Sequence, residues 1–360
     1  MHRASEVRAM REYLSAVAGN AALRQRLGAD LAAGQLSHAY ILEGPDGSGK
    51  ETLAMEIAMS LACENRESGE HPLPCRSCPS CRKIAAGNSP DVIRITREPD
   101  KATMGVDTVR ALRSDVITVP NDLAFKVYLI SDAHTMTEQA QNAFLLTLEE
   151  PPAFVLFFLL AEDAGALLET IRSRAPILRM QPVGEDEIER YLLSPDRDGA
   201  QRRSAEELRR SAPEEFAAVL RMANGRIGSA IALLDAEKRA PLLQNRADVL
   251  EICHLLADHG TPDALLAALL ALGKKRDEVT EKLLLLQIAL RDLLALCYSE
   301  RVALLFFTDE ATANELCARF SARRLLATID AVNATLASLA ANGNVRLLLF
   351  ELLGRLTANQ

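Results

Sequence analysis

Residues 38–52 read HAYILEGPDGSGKET: an apolar run from His38 to Glu43 leads directly into Gly44-Pro45-Asp46-Gly47-Ser48-Gly49-Lys50-Glu51-Thr52. The run predicts a buried strand and the segment from Lys50 to Cys63 predicts a helix, so the glycines join a strand to a helix amino terminus. In that context a phosphate-binding loop has a physical basis. Gly44, Gly47 and Gly49 let backbone N–H groups curl around phosphate oxygens, the helix terminus favours anions, and Lys50 adds a point charge. One position departs from the pattern. A Ser or Thr whose hydroxyl coordinates magnesium is expected after the lysine, but Glu51 stands there and Thr52 comes one place late. A carboxylate at 51 can ligate a metal, and it also repels phosphates.

Working outward, His38–Glu43, Asp91–Thr96, Phe125–Ser131, Val155–Ala161 and Ala175–Met180 read as strands. Their near-continuous hydrophobicity suits a parallel sheet covered on both faces. Lys50–Cys63, Val106–Val116, Thr137–Glu149 and Gly165–Arg172 read as intervening helices, with Thr137 as an N-cap and Pro151-Pro152 as a stop. The alternation predicts a doubly wound α/β domain with ligands beyond the carboxyl ends of its strands. The strand at Val127–Ile130 would end in an Asp-Glu pair in a hydrolytic site of this kind, but the chain continues Ser131-Asp132-Ala133-His134. Without a carboxylate to orient water, hydrolysis loses a factor of about 10²–10⁴. His134 is a weak substitute base and reads better as a polar cap at a strand end.

Cys75-Arg76-Ser77-Cys78-Pro79-Ser80-Cys81 places two residues between successive thiols, and Cys63 lies a short way upstream. Four thiolates at such spacing suit tetrahedral zinc with no open coordination position, so the expectation is a structural metal site at Cys63, Cys75, Cys78 and Cys81. Cys253, Cys297 and Cys317 stand alone in helical segments and are expected to pack as small hydrophobes.

After Pro182 the strand signal ends. Glu185–Leu193, Ala205–Arg210, Pro213–Ala223 and Ile227–Glu237 read as short helices. From about Arg239 to Gln360 the chain is Leu- and Ala-rich with helical periodicity, as in Val279–Tyr298 and Arg323–Leu339. Stretches such as LLLLQIALRDLLALC are apolar around most of the helix, which implies burial in a bundle or against other chains. The 360 residues carry a net charge of -8 and 4% aromatics without Trp. Both argue against whole-surface nucleic-acid binding or a base-stacking groove. Basic clusters such as Arg202-Arg203 and Lys274-Lys275-Arg276 read as solvated helix faces. No apolar run spans a bilayer, and the start, MHRASEVRAMREYL, lacks a secretory apolar core, so a cytoplasmic protein without membrane contact is expected.

Several features together resemble one family, the bacterial clamp-loader ATPases of the AAA+ class. They are His38-Ala39-Tyr40-Ile41-Leu42 leading into the phosphate loop, the four-cysteine insertion, Gly105-Val106-Asp107 at a helix start, Asn142–Pro152 (NAFLLTLEEPP), and Thr170-Ile171-Arg172-Ser173-Arg174. The resemblance implies an AAA+ P-loop domain with a zinc-binding insertion (1–182, insertion 63–81), a small helical lid (183–238) and an all-α collar (239–360). It also separates motor subunits, with intact nucleotide sites, from a stator branch that is degenerate at its own site. Glu51 and Ser131-Asp132-Ala133 side with the stator, as does Ala223-Asn224-Gly225-Arg226-Ile227-Gly228-Ser229, where Gly228 takes the place of a motor's nucleotide-sensing arginine. On this resemblance Arg174 is an arginine finger acting in trans on a neighbouring motor, although Ala175 replaces the cysteine of the usual Ser-Arg-Cys motif. The implied partners are the gamma/tau motor and delta subunits of DNA polymerase III, with the sliding clamp and primed DNA reached through the assembled complex. ATP binding by Gly44, Gly47, Gly49, Lys50 and Thr52 is expected to be weak or absent. An active motor ATPase and, from another class, a zinc-dependent nucleic-acid-binding module are the competing readings.

Overall fold

A computed structural model of the chain describes residues 11–68, 71–98, 100–195, 199–299 and 302–358. The stretch of the amino terminus read above as lacking a secretory core therefore lies partly outside the described residues. Contacts among the described residues gather into two units, one within 11–191 with 225–228, the other within 192–224 and 229–358.

In the first unit, α1 (Ala21–Ala33) precedes β1 (Ala39–Glu43), α2 (Lys50–Ala62) and a short α3 (Pro79–Ala85). Then come β2 (Val92–Ile95), α4 (Val106–Val116), β3 (Lys126–Ile130), α5 (Glu138–Glu149), β4 (Val155–Ala161), α6 (Glu169–Arg172), β5 (Ile177–Arg179) and α7 (Glu185–Leu193), which crosses the boundary between the units. The strands form one sheet in the order β2-β3-β4-β1-β5, parallel throughout. Every residue of β3 and β4 is buried, the apolar ones as two covered faces require and Lys126 with its ammonium 3.3 Å from Asp115. One layer of the core packs Leu42, Leu53, Ile57 and Phe158 on one face of the sheet, and the other packs Ile41, Tyr128, Phe144 and Phe157. Phe144 meets Phe157 edge-on with centroids 5.3 Å apart. The Thr137 side chain accepts from the Ala140 N–H and opens α5, and α5 stops before the double proline.

The segment read as one helix over Gly165–Arg172 instead makes a 3-10 turn (Ala164–Ala166) followed by the four-residue α6. Asp163 accepts from Gly165 N–H at 2.7 Å and favours the turn over a continuous helix.

Asp91 shows how this unit is held at the start of β2. Its side chain is buried and accepts from the N–H groups of Asn121, Asp122 and Leu123 at 2.7, 2.7 and 2.8 Å. Burial works to raise the carboxyl, but the three N–H donors outweigh it and hold the group below its ordinary value. A carboxylate depressed on folding contributes stability that is present above its unfolded pKa of about 3.9 and is lost as pH falls through the lower folded value. Thermal melts from pH 5 to 2 should therefore show Asp91→Asn losing less of its stability than the parent over that interval, after starting lower at pH 7. Parallel curves would refute the assignment.

The second unit is all helical. It comprises α8 (Gly199–Ser211), α9 (Pro213–Met222), α10 (Ile227–Leu233), α11 (Ala236–Ala257), α12 (Pro262–Ala271), α13 (Arg276–Leu296), α14 (Glu310–Cys317), α15 (Ala322–Ala340) and α16 (Val345–Ala358). The predicted helix Ile227–Glu237 is broken, because Asp235 takes a β conformation and its side chain caps α11 through Glu237 N–H. Leu283, Leu286, Leu290 and Leu293 of α13 are fully buried, while Leu284 and Ile288 remain exposed, as do Leu326, Leu347 and Phe350. The apolar excess of α13 is thus only partly consumed within the chain. Asp292 interrupts that apolar helix yet is fully buried, accepting from Leu305 and Phe306 N–H at 2.8 and 2.7 Å. Among the described residues no helix is long and apolar enough to cross a membrane.

Candidate functional site

The glycine-rich loop leaves the carboxyl end of β1, and Gly44 N–H is anchored on Ala161 O of β4 at 3.1 Å. Gly47 and Gly49 take φ of 75° and 93°, a region open to glycine with little strain, and Gly49 caps α2. Lys50 Nζ donates to the carbonyls of Gly44 and Pro45 at 2.5 and 2.9 Å, so the cation is folded back onto its own loop. Burial lowers the Lys50 pKa, against the upward pull of Asp46, Glu162 and Asp132. Three carboxylates therefore act on the lysine of the loop.

Glu51, in the first turn of α2, is exposed and points to Arg94 of β2, whose Nε lies 2.8 Å from the carboxylate. It is thus neither presented as a metal ligand within the loop nor free to face it. Thr52 is half-buried two residues beyond Lys50. At the end of β3, Asp132 is exposed in a left-handed conformation with φ 50° and lies 3.6 Å from Arg97 Nε. His134 Nδ1 accepts from Glu162 N–H at 3.3 Å and ties the end of β3 to the end of β4, a capping role rather than that of a free base.

Over the loop sits the Gly225–Gly228 segment, which groups with the first unit. Gly228 N–H donates to Gly47 O at 2.9 Å. A β-carbon on Gly228 would stand 2.8 Å from Gly47 Cα, so backbone lies on backbone with no room for a side chain to start.

Arg174 stands before the amino end of β5, the strand beside β1, and so away from the carboxyl ends where the loop begins. The loop follows Glu43, the register partner of Arg179 at the carboxyl end of β5. The guanidinium is about one-third exposed, pairs with Glu149 at the end of α5 at 2.9 Å, and donates to Thr170 O at 2.9 Å. An exposed pair of this kind is worth about 0–1 kcal/mol, so releasing it costs little.

The insertion places Cys63 at the carboxyl end of α2 and Cys78 as the N-cap of α3. The four Sγ atoms of Cys63, Cys75, Cys78 and Cys81 lie within 4.8 Å of one another, and three of the residues are buried. Tetrahedral zinc at 2.3 Å from each sulfur needs separations of about 3.8 Å, so the donor set and its spacing fit that ion. Cys78 N–H points at Cys75 Sγ and Cys81 N–H at Cys78 Sγ, each at 3.4 Å, which favours thiolates. Burial works to raise Cys75, but hydrogen bonds from Cys78 and Ser77 outweigh it and bring the thiol to about 5. Cys63 and Cys81 are raised, chiefly by burial. Arg76, with φ 59° in the knuckle, reaches back to the fully buried Glu56 of α2, which also accepts from Ala16 N–H at 3.2 Å. The cluster is therefore clamped to the same helix that carries the phosphate loop.

Glu162, Arg94 and the contact of Gly228 on Gly47 escaped sequence reasoning. Chain order does not reveal that β4 lies between β1 and β3, so nothing in the linear sequence singles out the residue after β4 as a neighbour of Lys50.

Residues 19–184 match the sequence family described as "DNA polymerase III, delta subunit". DNA polymerase III subunit gamma of Buchnera aphidicola (Schizaphis graminum) is 38% identical over 160 residues, 44% of this chain and 42% of that protein. DNA polymerase III subunit delta' of Bacillus subtilis is 36% identical over 162 residues, 45% and 47% of the two chains, and its subunit tau is 37% identical over 140 residues, 39% and 24%. The alignments span less than half the length of these curated relatives. The structure sets a glycine-rich loop at the carboxyl end of a strand in a five-stranded parallel sheet, followed by a helical continuation. Over residues 19–184 the chain is thus similar in sequence to subunits of the DNA polymerase III clamp loader.

Proposed function

We propose that this chain is the delta-prime, or stator, subunit of a DNA polymerase III clamp loader, acting in the cytoplasm with gamma/tau motor subunits and a delta subunit. Identity does not separate the motor and stator branches, since the gamma and delta' relatives stand at 38% and 36%. The residues of the loop favour the stator. The observation that carries the reading is the position of Arg174 before the amino end of β5, away from the carboxyl ends of the strands where its own phosphate loop begins, which favours a role at a site on another subunit. There its guanidinium would swing from Glu149 and stabilise charge spreading over a phosphoryl group in transfer.

The chain's own loop supports a stator in a second way. Gly228 and Lys50 engage loop carbonyls, Glu51 is held by Arg94, and Asp132 and Glu162 add negative charge where a triphosphate would enter. The alternative of a working motor ATPase would need a hydroxyl after Lys50 and an acidic pair after β3. In this reading Cys63, Cys75, Cys78 and Cys81 hold a structural zinc, residues 183–238 form a lid, and residues 239–360 form a collar whose exposed Leu284, Ile288, Leu326, Leu347 and Phe350 meet neighbouring subunits. Loading of the sliding clamp on primed DNA is then a property of the assembly.

The purified chain should release no measurable phosphate from ATP and show weak or no heat on titration with ATP and magnesium, yet co-purify with the motor and delta subunits. Brisk hydrolysis that falls on Lys50→Ala would establish the motor reading instead. Strong, salt-dependent DNA affinity of the lone chain would favour a nucleic-acid-binding module.

A further inference from the structure

Cys297 and Cys317 were expected to pack as isolated apolar residues, but they meet. Cys297 caps the end of α13, Cys317 is the last residue of α14, and their Sγ atoms lie 3.4 Å apart. Neither thiol is sealed in the core, since Cys297 is exposed and Cys317 half-buried. Their relative position is fixed by a shared carbonyl. Leu293 O accepts from Cys297 N–H at 3.2 Å and from Cys317 Sγ at 3.4 Å, so the turn that ends α13 also holds the thiol of α14. The buried Cys253 has no such arrangement, being fully enclosed in the helical core.

We propose that Cys297 and Cys317 form a reversible thiol–disulfide site that staples the end of α13 to α14. A disulfide needs its sulfurs at about 2.05 Å, an approach of under 1.5 Å from the present separation, which rotation about side-chain bonds at two helix ends can supply. The exposed Cys297 is the entry point. As a thiolate it attacks one sulfur of a small disulfide such as oxidised glutathione, forming a mixed disulfide and releasing one glutathione thiolate. Cys317 then gives its proton to solvent, attacks Cys297 Sγ and releases the second glutathione. Two protein thiols are oxidised and one disulfide is reduced to two thiols, so atoms and electrons balance. Burial, together with the neighbouring Cys297, raises Cys317 to about 11, which suits the second, resolving role better than the first. The site does not depend on the function proposed above, and in a reducing compartment it would stay open until the thiol pool is oxidised.

The full-length protein, zinc-loaded, is incubated with graded oxidised glutathione, quenched with acid and digested for peptide mapping. The expected result is a linked Cys297–Cys317 peptide as the dominant oxidised species, reversed by dithiothreitol, with a rise in Tm of about 5 °C or more. Cys317→Ser should stop at a glutathione adduct on Cys297, and Cys253→Ser should behave as the parent. A stable glutathione adduct on Cys297 in the parent, or pairing of Cys297 mainly with cysteines of the 63–81 cluster, would overturn the proposal.

Discussion

Replacing Arg174 by alanine is expected to lower phosphoryl transfer at the site it faces by about 10³-fold or more in a reconstituted clamp loader, the range seen for arginine fingers. The deficit would be diluted in the steady state, because other motor sites keep their own neighbours. Single-turnover hydrolysis in the presence of clamp and primed DNA resolves it as one slow site among fast ones. The lone chain should be unaffected in folding, since the side chain is partly exposed and its pairing with Glu149 contributes little. Arg174→Lys should not rescue, because an ammonium cannot reproduce the planar fork that spans two phosphoryl oxygens. Wild-type kinetics from the alanine variant would remove the finger assignment.

The second large effect concerns the four thiols. Cys81 is fully buried, its N–H donates to Cys78 Sγ and its own sulfur to the carbonyl of Met59, and no other side chain among the described residues stands ready to take its place. Cys81→Ser should reduce bound metal from a single zinc per chain to a small fraction, by elemental analysis of the purified protein. Because structural zinc contributes its binding energy to folding, the first unit should melt at least about 10 °C lower. A chelator should reproduce the shift in the parent and not in the variant. Cys253→Ala, equally buried but remote in sequence and belonging to the other unit, should keep its metal. Full zinc occupancy in Cys81→Ser would end the claim that this cluster is the ligand set.

Much of the sheet could be read directly from the residues. β4 and α4 have the predicted bounds, and the other strands differ by a residue or two at their ends, because continuous burial on both faces leaves a signal that chain order preserves. Helix α3 was missed, since seven residues starting at Cys78-Pro79 carry too little periodicity to stand out from a metal-binding loop. Helix α8 begins at Gly199, earlier than the apolar residues Ala205 and Leu208 suggest, because its first turn is polar. The site divides in the same way. Glycines, Lys50 and the cysteines announce themselves by local spacing. The partners Arg94 for Glu51, Glu162 for Lys50 and Asp292 for the loop at Leu305 are set by the lateral order of strands and by tertiary packing, which spacing does not encode.

The close approach of the Gly228 backbone to Gly47 also bears on what equipping this loop for hydrolysis would take. Restoring a hydroxyl at position 51 and an acidic couple near 132 would leave the entrance as crowded as before, and adding any sensing residue at 228 would first have to push a main chain aside.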